Sequence, residues 1–128
     1  MMAFNQHQQK RLIQILQHLP ENKVTSYGQL ARLIGLPRHA RFVGKWLSLP
    51  TTAKLKLPWY RVLRSDGSIP FPANTPASER FTSLLLESDI PVKQNRVNWK
   101  VHAWLQSEAD ELAWLTWAEH MGILDHSQ

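Results

Sequence analysis

The sequence of 128 residues predicts a mainly helical α/β domain, built on a helix-turn-helix with a strand pair behind it. Three observations carry that expectation. Two stretches of helical apolar spacing, SYGQLARLIG and PRHARFVGKWLSL, follow each other across Ile34-Gly35-Leu36-Pro37-Arg38, the pattern of two helices meeting at a tight turn. Behind them Lys54-Leu55-Lys56-Leu57 alternates as a short strand does, and Val62-Leu63-Arg64 with Ile69 can fold back about Ser65-Asp66-Gly67. Hydrophobic residues make up 43% of the chain, enough for one modest core.

Each element has a local reason. Leu12, Ile15, Leu16 and Leu19 recur at helical spacing, so a first helix is expected from Phe4 to Leu19, stopped by Pro20. Ser26 with Gln29 has the spacing of a capping box for the second helix, and Gly35 supplies its left-handed end. Pro37 is expected in the first turn of the third helix, which ends before Pro50. TPASERFTSLLLES reads as another helix, with Thr75 or Ser78 near its start. Pro70, Pro72 and Pro76 mark an ordered but irregular loop before it. Arg96 to Val101 is expected to be a last strand, and Ser107 with Asp110 resembles a capping box for a final helix running to Gly122. The main domain is expected over 1–104, with 105–128 a helical extension packed on it.

Composition narrows the chemistry. There is no cysteine, hence no disulfide, no thiolate nucleophile and no cysteine metal site. The six histidines show no ligand spacing, so neither a metal nor a cofactor is expected. No apolar run is long enough to span a bilayer, and MMAFNQHQQKR lacks the apolar centre of a secretion signal. The expectation is a cytoplasmic monomer with no membrane partner. The net charge of +5 is unevenly spread. Residues 1–64 hold eleven Lys/Arg and a single acid, Glu21, whereas residues 65–128 hold four Lys/Arg and nine Asp/Glu. A basic half is the footprint of a polyanion partner, most often nucleic acid. A chance clustering of solvated charge is the plainer alternative.

The third helix sharpens this. Arg38, Arg41 and Lys45 fall at i, i+3 and i+7, one cationic stripe, while Ala40, Val43, Trp46 and Leu47 lie largely on the other side. Such a stripe suits phosphate contacts, or it is simply the solvated face of an amphipathic helix. Gly44 removes bulk from this helix and permits close approach of backbone or DNA.

These residues resemble a known family. VTSYGQLARLIGLPRHARFVGKWL, followed by LPWYRVLRSDGSI, is similar to the DNA-binding domain of the O6-alkylguanine-DNA alkyltransferases. That family shows a Thr-Tyr-Gly turn, then an Ala-Arg-x-Val-Gly helix, then Pro-Cys-His-Arg-Val. The resemblance covers about residues 4–100 and implies a winged helix-turn-helix of that enzyme's C-terminal domain type. Trp59 stands where the family has its acceptor cysteine. This substitution marks the alkyltransferase-like proteins, and implies a non-enzymatic sensor. Its partners would be double-stranded DNA containing O6-alkylguanine, bound by minor-groove base flipping, and nucleotide excision repair proteins. The chemistry agrees: alkyl transfer needs a thiolate, and indole N–H is a donor only.

The resemblance also assigns residues. Arg41 matches an arginine finger that replaces the extruded base, with a phosphate contact as its alternative. Tyr27 matches the tyrosine that crowds the phosphate beside the flipped nucleotide and reaches the base, and Arg38 and Lys45 would touch phosphates. Trp59 would form the pocket floor, by contact with the alkyl group and purine or by plain filling. The carbonyls of Trp59 and Val62 match acceptors for the guanine amino group, and Arg61 matches the motif arginine, structural more than ligand-binding; Tyr60 and Arg61 are expected in the lesion pocket with them. The loop from Ser68 to Ala73 matches the lid, with the amide of Phe71 or of Ala73 facing O6. IPFPA departs from the family's glycine-rich version, and its two prolines remove N–H donors. Tyr60 replaces a histidine, Glu87 matches the glutamate behind that histidine and is expected to cap or pair near Arg61, and Thr51 falls near an asparagine position whose role does not transfer. Trp114, Trp117 and Met121 share a face of the last helix that either packs on the domain or docks a repair protein. Two other readings remain open: a winged-helix regulator that reads sequence in the major groove, and an enzyme acting on DNA, such as a glycosylase.

Overall fold

Helix α1 (Gln6–Gln17) opens the computed structural model, which describes residues 5–125. Asn5 caps it with a complete capping box: Oδ1 accepts from Gln8 N at 2.8 Å, and Gln8 Oε1 accepts from Asn5 N at 3.0 Å. The helix therefore starts after Asn5, while Phe4 lies outside the described residues. Strand β1 (Thr25–Ser26) runs straight into α2 (Tyr27–Leu33), where Ser26 Oγ accepts from Gln29 N at 3.0 Å. The other half of the expected box does not form. Gln29 instead accepts from Thr25 Oγ1 at 2.8 Å and donates to the Leu105 carbonyl at 2.7 Å and to Glu111 at 3.0 Å.

Helix α3 (Ala40–Leu47) starts three residues later than Pro37 would place it. After Gly35 (φ +81) the Leu36 N–H returns to the Ala31 carbonyl at 2.8 Å, a Schellman closure. Leu36 to His39 are then spent on the turn, and Arg38 sits in the left-handed region at φ 75. Pro50 does not merely end a helix; it opens the short α4 (Pro50–Ala53). Lys54 to Leu57 is no strand. The Leu55 N–H bonds back to Thr52 O at 2.9 Å, so the backbone turns locally instead of pairing.

A 3₁₀ turn (Trp59–Arg61) leads into β2 (Val62–Leu63), which pairs in parallel with β1, Thr25 opposite Val62 and Ser26 opposite Leu63. The expected turn at 65–67 is present, with Gly67 N bonded to Arg64 O at 2.9 Å, but Ile69 is not its strand partner. The Ile69 N–H goes to the Asn95 carbonyl at 3.0 Å. Helix α5 (Pro76–Glu87) is capped by Thr75, whose hydroxyl accepts from Ser78 N at 3.2 Å. A hairpin of β3 (Val92–Lys93) and β4 (Arg96–Val97) follows, unmarked by glycine; Gln94 (φ 53) and Asn95 (φ 62) take the left-handed pair that a type I′ turn needs. The expected strand from Arg96 to Val101 stops at Val97, and α6 (Trp99–His102) replaces its end. Helix α7 (Glu108–His120) is capped by Ser107, which accepts from Asp110 N at 3.1 Å.

Val62 and Leu63 point to opposite faces, as successive strand residues must, and so serve two hydrophobic clusters. Val62 joins Leu12, Leu16, Leu30, Val43 and Trp46, with Ala118 and Leu124 from the C-terminal segment. Leu63 joins Val24, Ile69, Phe81, Leu85 and Ile90. On α7, Trp114 meets Trp104 edge-on at 4.8 Å, but Trp117 and Met121 remain half-exposed, so the three do not pack as one face. Among the described residues, no helix is long and apolar enough to cross a membrane.

Candidate nucleic-acid interface and its cavity

The 3₁₀ turn sits where the two clusters adjoin, and a cavity of about 280 Å³ opens beside it. Tyr27 enters from the first turn of α2, and Gly44, Leu47 and Ser48 from α3. Thr52, Ala53 and Leu57 continue the wall, and Trp59, Phe71 and Phe81 complete it. Except for three hydroxyl groups and the Trp59 indole N–H, the side chains that line it are apolar.

Phe81 anchors the aromatic wall. It is buried, meets Trp59 edge-on at 5.0 Å and Phe71 at 5.9 Å. Trp59 is also held by the edge of Tyr60 at 5.7 Å and by the Arg80 guanidinium, 5.6 Å from its ring centre. Its indole N–H donates to no described residue, so that donor is available. On the opposite wall the Tyr27 ring lies along Gly44, where an added Cβ would meet it at 3.8 Å. Burial pushes the Tyr27 phenol up to about 12, against the pull of Arg64. The phenol stays protonated at neutral pH and can donate.

The loop from Ser68 to Ala73 is tied from outside the helix-turn-helix. Asn95 donates through Nδ2 to the Phe71 carbonyl at 2.8 Å and accepts from Ser78 Oγ at 2.6 Å, while its own carbonyl holds Ile69 N. Thr75 Oγ1 adds a bond to Pro72 O at 2.7 Å. Phe71 itself is 44% exposed.

The cationic residues divide by their partners. Arg41 and Lys45 are exposed on α3, and Arg38 is exposed in the preceding turn, off the helix stripe that its spacing suggested. None of the three makes an ion pair among the described residues. Arg32 is different: it grips Glu111 with two bonds, 2.8 and 3.1 Å. Burial disfavours the Glu111 charge, but the bonds from Arg32 and Gln29 outweigh it and hold the carboxyl below its usual range. Arg11 pairs with Glu119 at 3.0 Å and also bonds the Asp125 carbonyl; Lys10 pairs with Asp125 at 2.9 Å. The acidic half thus neutralises part of the basic one. A larger hollow of about 480 Å³ lies there, between α1, α2 and α7, shallow and lined by charges already paired.

Tyr27, Gly44, Trp59 and Phe71 therefore meet at one cavity. Tyr60, Arg61, Val62 and Ala73 do not line it. Tyr60 Oη turns to Ser88 Oγ at 3.3 Å. Arg61 donates to the carbonyls of Pro20 and Lys23, at 2.8 and 3.3 Å, and burial lowers its basicity. Val62 is wholly buried in the first cluster, and Ala73 is exposed in the turn before α5. Glu87 is exposed and does not pair with Arg61. Thr52, not Thr51, reaches the cavity. Leu47 and Ser48 could have been found by extending the Gly44 face one turn; Phe81 and Leu57 carry no signal beyond ordinary core residues.

Residues 7–88 match the family model described as 6-O-methylguanine DNA methyltransferase, DNA binding domain. Alkyltransferase-like protein 1 of Schizosaccharomyces pombe is 32% identical over 76 residues, which cover 59% of this chain and 69% of that one. The chain belongs to the alkyltransferase-like family. The DNA base-flipping proteins of Vibrio parahaemolyticus and Escherichia coli are 42% and 46% identical over 60 and 61 residues, 46% and 47% of this chain. The matched segment spans about half the length of these relatives, 58% and 46%. The crystal structure of S. pombe Atl1 in complex with damaged DNA containing O6-carboxymethylguanine superposes with a TM-score of 0.66 at 27% identity, covering 80% of this chain and 98% of that one. In this alkyltransferase-like chain, the family's DNA-binding fold frames the aromatic cavity.

Proposed function

We propose that this protein is a non-enzymatic sensor of O6-alkylguanine in duplex DNA. The observation that carries it is Trp59, which forms a wall of the cavity where an acceptor cysteine would stand, in a chain with no cysteine at all. An alkyl group cannot pass to an indole N–H, so recognition is what remains. A base inside the duplex must leave the stack to be read, at a cost of a few kcal/mol. Arg41, exposed at the start of α3, is the group to fill the gap it leaves. Tyr27, protonated and half-buried, donates at the cavity mouth, and the apolar walls receive an alkylated base more readily than they would a further polar edge. Arg38 and Lys45 hold phosphates. The protein acts as a cytoplasmic monomer and hands the marked site to nucleotide excision repair.

Matched duplexes, one with O6-methylguanine, titrated at fixed salt, test the reading. Preference for the modified duplex with no label passing from a methyl-labelled base to protein is expected. Equal affinities overturn it.

A further inference from the structure

The side chains of Lys54, Leu55 and Lys56 belong to neither hydrophobic cluster. The stretch is not a strand, and all three residues are exposed. Between Glu21 and Asp66 the chain carries nine Lys/Arg and no acid. Three of these nine are engaged: Arg32 with Glu111, Arg61 with two carbonyls, and Lys23 with the Val101 carbonyl at 3.1 Å. The others are Arg38, Arg41, Lys45, Lys54, Lys56 and Arg64, all exposed and without an ion pair among the described residues.

Their placement follows the cavity wall. That wall runs from Gly44 and Ser48 on α3 through Thr52 and Ala53 on α4 to Leu57. Arg41 and Lys45 flank its beginning on α3; Lys54 and Lys56 lie on its last stretch, between Ala53 and Leu57. Lys56 adds a second observation. It occupies a left-handed position, φ 54, where glycine or asparagine would be the local choice, yet it is a lysine whose ammonium has no partner among the described residues. Arg38 shares that combination at φ 75 on the other side of α3. Exposed cations held in the left-handed region, one in the turn before α3 and one in the segment after α4, fit a surface shaped for charge, not for folding.

We propose that Lys54 and Lys56 form a second phosphate-contacting edge for duplex DNA, separate from the helix-turn-helix. This rests on the DNA-binding reading above. A duplex seated over the cavity meets Arg41 and Lys45 from α3 and these two lysines from the segment after α4. Contacts of this kind position the duplex and carry no base sequence.

The test is the salt dependence of binding for Lys54→Gln/Lys56→Gln, measured on unmodified and O6-methylguanine duplexes. Each lost phosphate contact lowers the slope of log K against log salt by about 0.9, so the double variant should lose about two. Affinity should fall by the same factor on both duplexes, leaving their ratio unchanged. Lys93→Gln/Lys100→Gln, on β3 and α6, removes as much charge elsewhere and should leave the slope alone. An unchanged slope in the Lys54/Lys56 variant, an equal loss in the Lys93/Lys100 variant, or a loss confined to the modified duplex overturns the edge while the wild type still binds. A wild type that binds neither duplex overturns the DNA-binding reading itself, and the edge with it.

Discussion

Arg32 and Arg41 stand on successive helices, in the same basic run, and meet opposite fates. Arg32 is clasped by Glu111 and shares that carboxylate with the buried Gln29. Arg41 faces solvent with no ion-pair partner among the described residues. The difference lies in which side of the molecule α7 covers. Where α7 returns its acids, a cation secures the fold. On the cavity side no acid returns, and the cations stay available to an external anion. A count of basic residues cannot separate the two groups, because the neutralising carboxylates come from the far end of the chain.

The sharpest test of the paired side is Glu111→Ala. It removes both Arg32 bonds and one of the two that Gln29 Nε2 makes, the other to Leu105 O remaining, and, with Arg32 partly open to water, should cost about 1–2 kcal/mol of stability in urea unfolding, with DNA affinity little changed. The same pair sets a pH signature. Because the Glu111 carboxyl is held below its ordinary range, its contribution is complete above the unfolded carboxyl pKa of about 4.3 and is lost as pH falls through the lower folded value. Melting profiles from neutral to acid pH should converge for the wild type and Glu111→Gln at the acid end. Persistent separation there would show that the network does not depend on the Glu111 charge.

Arg41→Ala is the converse. Stability should stay within about 0.5 kcal/mol, while binding to the modified duplex weakens by about 1–2 kcal/mol and a fluorescent base analogue beside the lesion loses its response. A clear fall in melting temperature would place Arg41 with Arg32 and dissolve the contrast.

Asn95→Gly lies between the two sides. Glycine suits φ 62, so the hairpin should persist, but the bonds to Phe71 and Ser78 vanish. A stability loss of about 1 kcal/mol is expected, together with a poorer ratio of modified to unmodified binding as the lid loosens. A ratio equal to the wild type's would make Asn95 a purely structural clasp.

The smallest effect belongs to Arg38→Gly. The salt slope should drop by about one, and the melting temperature should not fall, since relief of the left-handed strain offsets the added freedom of the unfolded chain.

What the sequence disclosed was mostly local. The caps at Ser26, Thr75 and Ser107 are visible because cap and capped amide lie three residues apart. The β1–β2 pairing is not, because parallel partners at 25 and 62 leave no mark near either. Lys54 to Leu57 alternates like a strand, yet α4 takes its hydrogen bonds first. The Gln94–Asn95 turn went unread because neither residue is glycine. In the candidate site, Tyr27, Gly44, Trp59 and Phe71 come together from motifs, whereas Thr52 and Phe81 reach the cavity only through the packing of α4 and α5.

The Gln29–Glu111 contact spans 82 residues, and the Arg11–Glu119 pair 108. During synthesis the amino-terminal helices leave the ribosome long before their carboxylates exist. For that interval the emerging chain is strongly cationic, its first cluster lacks Ala118 and Leu124, and the surrounding ribosomal RNA is a nearby polyanion. Completion of this core waits on α7, so the fold closes as a late event rather than helix by helix. A ribosome stalled between residues 90 and 105 should carry a nascent chain that is protease-sensitive in α1 and α2, and extension past α7 should confer protection.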